Sequence, residues 1–377
     1  MSENSMTRVA VVSSAQTEFR KAWSNLQHVD LLSAVVEATL KGSGLRIEDV
    51  DFVVDCGSDV LDGRSISNCG FLGAMGAHHK EEARVEEDGL FGAIYGVNKI
   101  VAGSASVALV IGYSKPSESD VAAYYSTIAE PFYQRPIGID HVSAAGLLAS
   151  QYLSLTHATE EDLLRITRSA WSKARSNQRL VASELPSDEE IERASYVAEP
   201  LREFQLARPV DGAVAVLLAC EEVARKVTEY PVWITGMGAA TESHCLADRT
   251  PGEFAAAQEA ARVAQRRAGI TDPRSVDFVE VSASSVAAEA LVVEALGLAA
   301  RGHAVDAYLD GKVDINPSGG SVPADPIMAT GLVRLHEASS RLSGRSGGRS
   351  SGARAFVHGA GGLNMQNHCV FAVEVER

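Results

Sequence analysis

Two stretches far apart in the chain follow one plan. RVAVVSSAQTEF leads through VDLLSAVVEATLKGSGL to RIEDVDFVVDCGSD, and PVWITGMGAATES leads through GEFAAAQEAARVAQRRAGI to TDPRSVDFVEVSAS. Each begins as an apolar, β-rich strand and continues as an amphipathic helix closed by glycine (Gly44, Gly269). Each ends in a strand opening Val-Asp-Phe-Val, at 50–53 and 276–279. Two β-α-β copies predict an α/β protein with largely parallel sheets, because parallel neighbours need a crossover and a helix supplies it. Each half then adds an apolar strand, within SASVALVIGYSK and within ARAFVHGAGGLNMQNHCVFAVEV.

The first half is read as 1–115 together with 206–227, and the second as 228–377. Between them, 116–205 is an inserted lid, running from YYSTIAEPFYQRPIGIDHVSAAG to the acidic SDEEIERASYVAE. Long insertions in α/β chains commonly cover a site. SISNCGFLGAMGAHH reads as a helix, and LSGRSGGRSSGAR as a flexible surface connector.

With 377 residues and 46% hydrophobic content the chain can bury a large core. It contains no apolar run of membrane-spanning length, and its start lacks the layout of a secretory signal, so the expected location is cytoplasmic. A net charge of −15 argues against nucleic acid as a partner. Five scattered cysteines without a CxxC pair signal neither disulfides nor zinc. One local exception is RITRSAWSKARSNQR, residues 165–179, with five basic side chains and no acid. Such a patch suits an anionic group such as a nucleotide phosphate, and equally a solvated helix face.

In ARVEEDGLFGAIYGVNKIVAG, residues 83–103, the acids Glu86, Glu87 and Asp88 run into glycines at 89, 92 and 96. Spacings of three and four put the glycines on one helical face, which predicts a buried helix approached closely by its neighbours. Acids at its start suit the positive end of the helix dipole, and capping alone explains them.

These features together resemble the thiolase superfamily, in particular thiolase-like proteins of the sterol-carrier or lipid-transfer type. The resemblance spans nearly the whole chain and is carried by the duplicated VDFV halves, by RPVDGAVAVLLACEEVA with Asp211-Gly212-Ala213, by EALVVEALGL, and by INPSGGSVPADPIMATG at 315–331. It implies a five-layered α/β/α/β/α fold. In thiolases the helix after the third strand begins with a nucleophilic cysteine. Counting back from Ile100 and Gly103, which resemble the family's I-x-x-G, places Glu86 at that position. The Gly-His-Pro that supplies a catalytic histidine is replaced by Ala324-Asp325-Pro326, the oxyanion-hole residue after VDFVE by Ser282, and the second cysteine by His358 in HGAGG. Cys56 and Cys69 read as ordinary thiols.

The resemblance therefore implies a site on acyl-CoA thioesters without the thiolytic cysteine. Some lipid-transfer-type relatives that lack it cleave β-hydroxyacyl-CoA by retro-aldol chemistry, which needs a base and donors for an enolate. Glu86, Asp88, Asp325, His358 and Ser282 are the candidate catalytic residues. Backbone N–H groups of the HGAGG turn, including Gly361, and of the loop holding Ser318, Gly319 and Gly320 are candidate oxyanion donors. Arg168 and Arg175 of the basic stretch, with Arg135 and His141, are candidates for holding coenzyme A. A non-catalytic subunit of a heteromeric acyl-CoA complex and an ordinary thiolase or acyltransferase are the alternatives. A homodimer, a separate small zinc-ribbon and OB-fold partner, and no covalently bound cofactor complete what the resemblance implies.

Overall fold

The computed structural model describes residues 7–180, 185–344 and 353–376. Most of the glycine- and serine-rich connector of the second half lies outside them. In chain order the elements are β1 (Val9–Gln16), α1 (His28–Ser43), β2 (Phe52–Cys56), β3 (Glu81–Arg84), α2 (Gly89–Val101) and β4 (Val107–Ser114). The inserted region supplies α3 (Val121–Thr127), α4 (His141–Leu155), α5 (Glu160–Ala174), α6 (Asp188–Arg193) and the short β5 (Tyr196–Ala198) and β6 (Leu201–Arg202). Then follow β7 (Gly212–Cys220), α7 (Glu221–Val227), β8 (Val232–Thr241), α8 (Ala255–Arg267), β9 (Phe278–Val281), α9 (Val286–Ala295), α10 (Ala304–Asp310), β10 (Asp314–Ile315), α11 (Thr330–Leu342), β11 (Arg354–Gly361) and β12 (Asn367–Val375).

The duplication is visible in the pairing. One half orders its strands β3-β2-β4-β7-β1 and the other β10-β9-β11-β12-β8, so each strand has a counterpart at the same place. The halves join edge to edge where Ala10 and Val11 pair with Trp233 and Val232. The sheets are mixed, which corrects the expectation of largely parallel ones. β2 runs parallel to β3 and β4, and β9 to β10 and β11, while β7, β1, β12 and β8 enter antiparallel. Helix α2 supplies the crossover between the parallel β2 and β4, and α9 and α10 that between β9 and β10, while β11 turns directly into the antiparallel β12. The VDFV signature marks the start of β2 and β9, and its acid has one job in both. Asp51 accepts the N–H groups of Ser106 and Val107 at the head of β4, and Asp277 accepts that of Arg354 at the head of β11. Gly44 and Gly269 take the left-handed conformation after their helices (φ 72° and 66°), as their closing role requires.

Helices α2 and α11 lie between the two sheets. Leu90, Ala93 and Val97 of α2 share one apolar cluster with Leu332, Val333 and Leu335 of α11, and with Val54 of β2 and Phe371 of β12. Helix α1 covers the far face of the first sheet, and α8 and α9 that of the second. The result is the expected five layers. The glycine face of α2 is buried as predicted, with three different neighbours: a Cβ on Gly89 would stand 2.6 Å from Leu332 Cβ, one on Gly92 2.3 Å from Cys56 Sγ, and one on Gly96 3.1 Å from Leu218 Cδ1. The segment around Cys69 forms a 3-10 turn at Ser67–Gly70 with further turns, where a helix was expected.

Candidate active site

Two helix N-termini, one from each half, meet at Asp88. This residue, 2% exposed, caps its own helix by accepting the N–H of Leu90 (3.0 Å) on one carboxyl oxygen and the N–H of Gly331, in the first turn of α11, on the other (2.7 Å). Room for it exists because glycine lies opposite. A Cβ on Gly331 would fall 2.0 Å from Asp88 Oδ1, and one on Gly359 2.6 Å away. The neighbouring Glu87 is seated the same way: a Cβ on Gly361 would fall 1.5 Å from its Oε1, while Asn367 Nδ2 donates to its Oε2. Asp325 comes in from the loop before α11. It is pinned by its backbone to Arg208 and Val210, and its carboxylate accepts the hydroxyl of Thr330.

These three carboxyls line one narrow cleft. Tyr124, Tyr125, His141, Ser282, Ser284, Ile327, Met328, Gly361, Gly362, Asn364 and Met365 contribute to its walls. Burial raises Asp88 to about 8, opposed by its two N–H donors and reinforced by the charges of Glu87 and Asp325. Burial also raises Asp325, to about 6, with the Thr330 hydroxyl and the Arg334 guanidinium pulling the other way. Glu87 is raised for the same first reason. At neutral pH the cleft thus holds a protonated Asp88 beside an ionised Asp325, an acid and a base set apart by environment.

The other walls are apolar or lack partners. His141 stacks on Tyr125 with ring centroids 4.6 Å apart, its burial disfavouring the imidazolium, and Tyr125 meets Tyr124 edge-on at 5.0 Å. The hydroxyls of Ser282 and Ser284 and the Nδ1 of His141 are buried with no hydrogen-bond partner among the described residues. Such groups suit a polar ligand. Among the described residues no cysteine lines the cleft. Cys56 is fully buried beneath Gly92 and Cys369 lies within β12, and burial pushes both thiols up, away from the thiolate a nucleophile requires.

Of the residues singled out from sequence, Asp88, Asp325, Ser282, His141 and Gly361 come together here. The others lie elsewhere. Glu86 is exposed and accepts from Ser58 Oγ and the N–H of Asp59, bracing the loop after β2. His358 is fully buried with its Nε2 3.0 Å from Nδ1 of His368, and His368 in turn lies against Phe254. Strand alternation explains this: Val357 belongs to the cluster around the central helices and Gly359 meets Asp88, so His358 between them faces the outer helices.

Ser318 bonds to the buried Glu280 and Arg334, and Gly319 packs on the backbone of Ala174, while Gly320 packs on the side chain of Asn316. That loop borders a second, polar cleft beside the far part of α11. Arg168 is paired with Glu161 and Glu192, Arg175 with Asp188, and Arg135 binds the carbonyls of Thr127 and Ala129. The basic stretch therefore spends these charges on the protein's own acids and carbonyls. Glu87, Tyr124, Tyr125, Thr330 and Asn364 were missed. Glu87 stood in the same acidic run as Glu86, and a gapless count does not fix which of three adjacent acids turns inward.

Residues 238–372 match the family described as thiolase C-terminal domain-like. A protein named acetyl-CoA acetyltransferase from Methanothermobacter thermautotrophicus is 25% identical over 95% of this chain and 97% of its own length. A solved Ltp2-ChsH2(DUF35) aldolase superposes with a TM-score of 0.81 at 19% identity, covering 98% of both chains. A monomeric SCP2-thiolase-like protein type 1 from Mycobacterium smegmatis superposes with a TM-score of 0.75 at 18% identity, covering 98% of this chain and 77% of its own.

Proposed function

From a thiolase-like fold whose second half carries a thiolase C-terminal domain, we propose that this chain cleaves a β-hydroxyacyl-CoA by retro-aldol chemistry without a covalent intermediate. The observation that carries the reading is the split pair of carboxyls, Asp88 and Asp325, in a cleft that no cysteine among the described residues lines. Asp325 takes the proton of the β-hydroxyl. The bond between the α and β carbons breaks, the β carbon leaves as an aldehyde or ketone, and the electron pair passes to the thioester as an enolate. Asp88 then returns a proton to the α carbon, and the two carboxyls exchange protonation with solvent before the next turnover. Glu87, partnered by Asn367, adds negative charge that keeps Asp88 protonated. The fold shared with the Ltp2-ChsH2(DUF35) aldolase supports the same reaction class.

The test follows β-ketoacyl- and β-hydroxyacyl-CoA substrates by mass spectrometry, with the chain alone and with a candidate small zinc-ribbon and OB-fold partner. Aldehyde or ketone release without free CoA is expected. Asp325→Asn should lower the rate by about 10²-fold or more. Thiolysis with release of free CoA, or an unchanged Asp325→Asn rate, defeats the reading. One observation favours an acyl transfer instead: two relatives that match most of the chain are named acetyl-CoA acetyltransferase. That chemistry predicts a trapped acyl-enzyme on intact-mass analysis, which retro-aldol cleavage does not form. We propose a homodimer as the working state, measurable by sedimentation.

A further inference from the structure

Leu363, Asn364 and Met365 close the turn between β11 and β12 in an unusual way. Asn364 and Met365 are both non-glycine residues in the left-handed region (φ 51° and 55°), next to Gly362 at 77°. Two such residues in succession carry strain, which persists only where the surroundings hold it. What holds it is Arg249, from the loop between β8 and α8. Its guanidinium donates to the carbonyls of Asn364 (2.9 Å), Leu363 (3.2 Å) and Ser243 (2.7 Å), a fork spent wholly on backbone. Gln366 adds a reciprocal link to Glu242, and Leu363 is buried against Ala129 and Ala144 of the lid.

The turn delivers the Asn364 side chain to the wall of the cleft that Asp88 and Asp325 line. There its Oδ1 is buried without a hydrogen-bond partner among the described residues. A half-turn of the amide exchanges oxygen and nitrogen, so in either orientation one polar end is left to a ligand. We propose that Asn364 donates its amide N–H to the thioester oxygen of bound acyl-CoA, and that Arg249 is the positioning residue that holds it there. The inference rests on the acyl-CoA reading above. It gives the enolate a donor from a side chain where Ser282 and Asp325 stand in place of the family's usual ones, and a donor aimed at developing charge strengthens as the enolate forms.

The experiment uses the full chain and two probes that cannot be cleaved: a saturated acyl-CoA, which lacks the β-hydroxyl that Asp325 would deprotonate, and its thioether analogue in which CH2 replaces the thioester carbonyl. Binding of each is measured by titration calorimetry, without turnover. The native chain should prefer the thioester by about 10-fold, the scale of one hydrogen bond. Asn364→Gly removes the amide and suits the left-handed backbone, so it should fold at least as well, bind the thioether unchanged, and lose the preference. Arg249→Gln should also lose the preference, with a lower melting temperature. A preference that survives Asn364→Gly overturns the inference and leaves the acyl-CoA reading standing. Failure of the native chain to bind either probe overturns both.

Discussion

Replacing Asp88 by asparagine should make the protein less stable in acid and more stable in alkali, with a crossover between. The unfolded chain gives up this proton near the ordinary carboxyl value of 3.8, while burial holds it in the folded chain to about 8. Across that window the unfolded state binds fewer protons, so folding stability falls as pH rises. At about 1.4 kcal/mol per pH unit the interval sets a ceiling of about 5–6 kcal/mol, reached above pH 8 and absent below pH 4. Asparagine has no proton to lose and escapes this penalty. It has its own cost, because Asp88 accepts from Leu90 on one oxygen and from Gly331 on the other, and an amide places an N–H group against one of those donors. That mismatch costs about 1–3 kcal/mol at every pH. Urea titrations followed by circular dichroism at pH 5.5 and pH 8.5 read the difference directly. Asp88→Asn should stay within about 1 kcal/mol of native at the lower pH, where the escaped penalty and the mismatch nearly cancel, and gain about 3–5 kcal/mol relative to native at the higher. Stability differences equal at the two pH values would refute the reasoning, since they would mean that Asp88 titrates alike in the folded and unfolded chains.

Three more outcomes test the packing. Gly361→Ala would put a Cβ 1.5 Å from Glu87 Oε1, so it should cost about 1–3 kcal/mol in denaturant stability and displace the carboxylate, seen as a lost Asn367 contact in a crystal structure. Gly92→Ala strikes Cys56 Sγ at 2.3 Å, and Cys56→Ala should relieve it, with a coupling of at least about 1 kcal/mol in a double-mutant cycle read by urea unfolding. Arg334→Met leaves Glu280 buried and unpaired and should cost about 3–5 kcal/mol by the same assay, whereas Glu280→Gln with Arg334→Met should recover much of it.

The repeated architecture was legible because its marks are local. The Asp of VDFV does the same work in both halves, and a glycine after each helix can be read from spacing alone. The site was legible only to within a residue or two. Asp88 and Asp325 were named, but among Glu86, Glu87 and Asp88 the inward face is set by where α2 begins, and that depends on the Gly331 N–H from the other half. His358 was misplaced because one residue of strand register exchanges the two faces of a sheet. The basic stretch misled for a different reason. Glu192 and Asp188, which occupy Arg168 and Arg175, lie in α6, and Asp314, which pairs with Lys173, lies much farther along the chain. Charge counted within a window misses such partners. The left-handed pair at Asn364 and Met365 had one faint signal, an asparagine two positions after a double glycine.

Two of the three carboxyls of the cleft belong to one half of the duplication and their seats to the other. Asp88 and Glu87 open α2 of the first half, while Gly331, Gly359, Gly361 and Asn367 come from the second. The first half alone therefore cannot seat these two acids, because the glycines and the asparagine that they pack against come from the second. The buried setting that raises Asp88 therefore exists only where the sheets close over the two central helices. Without that contact between the halves the setting is lost, so the titration of Asp88 reports that the two halves have found each other.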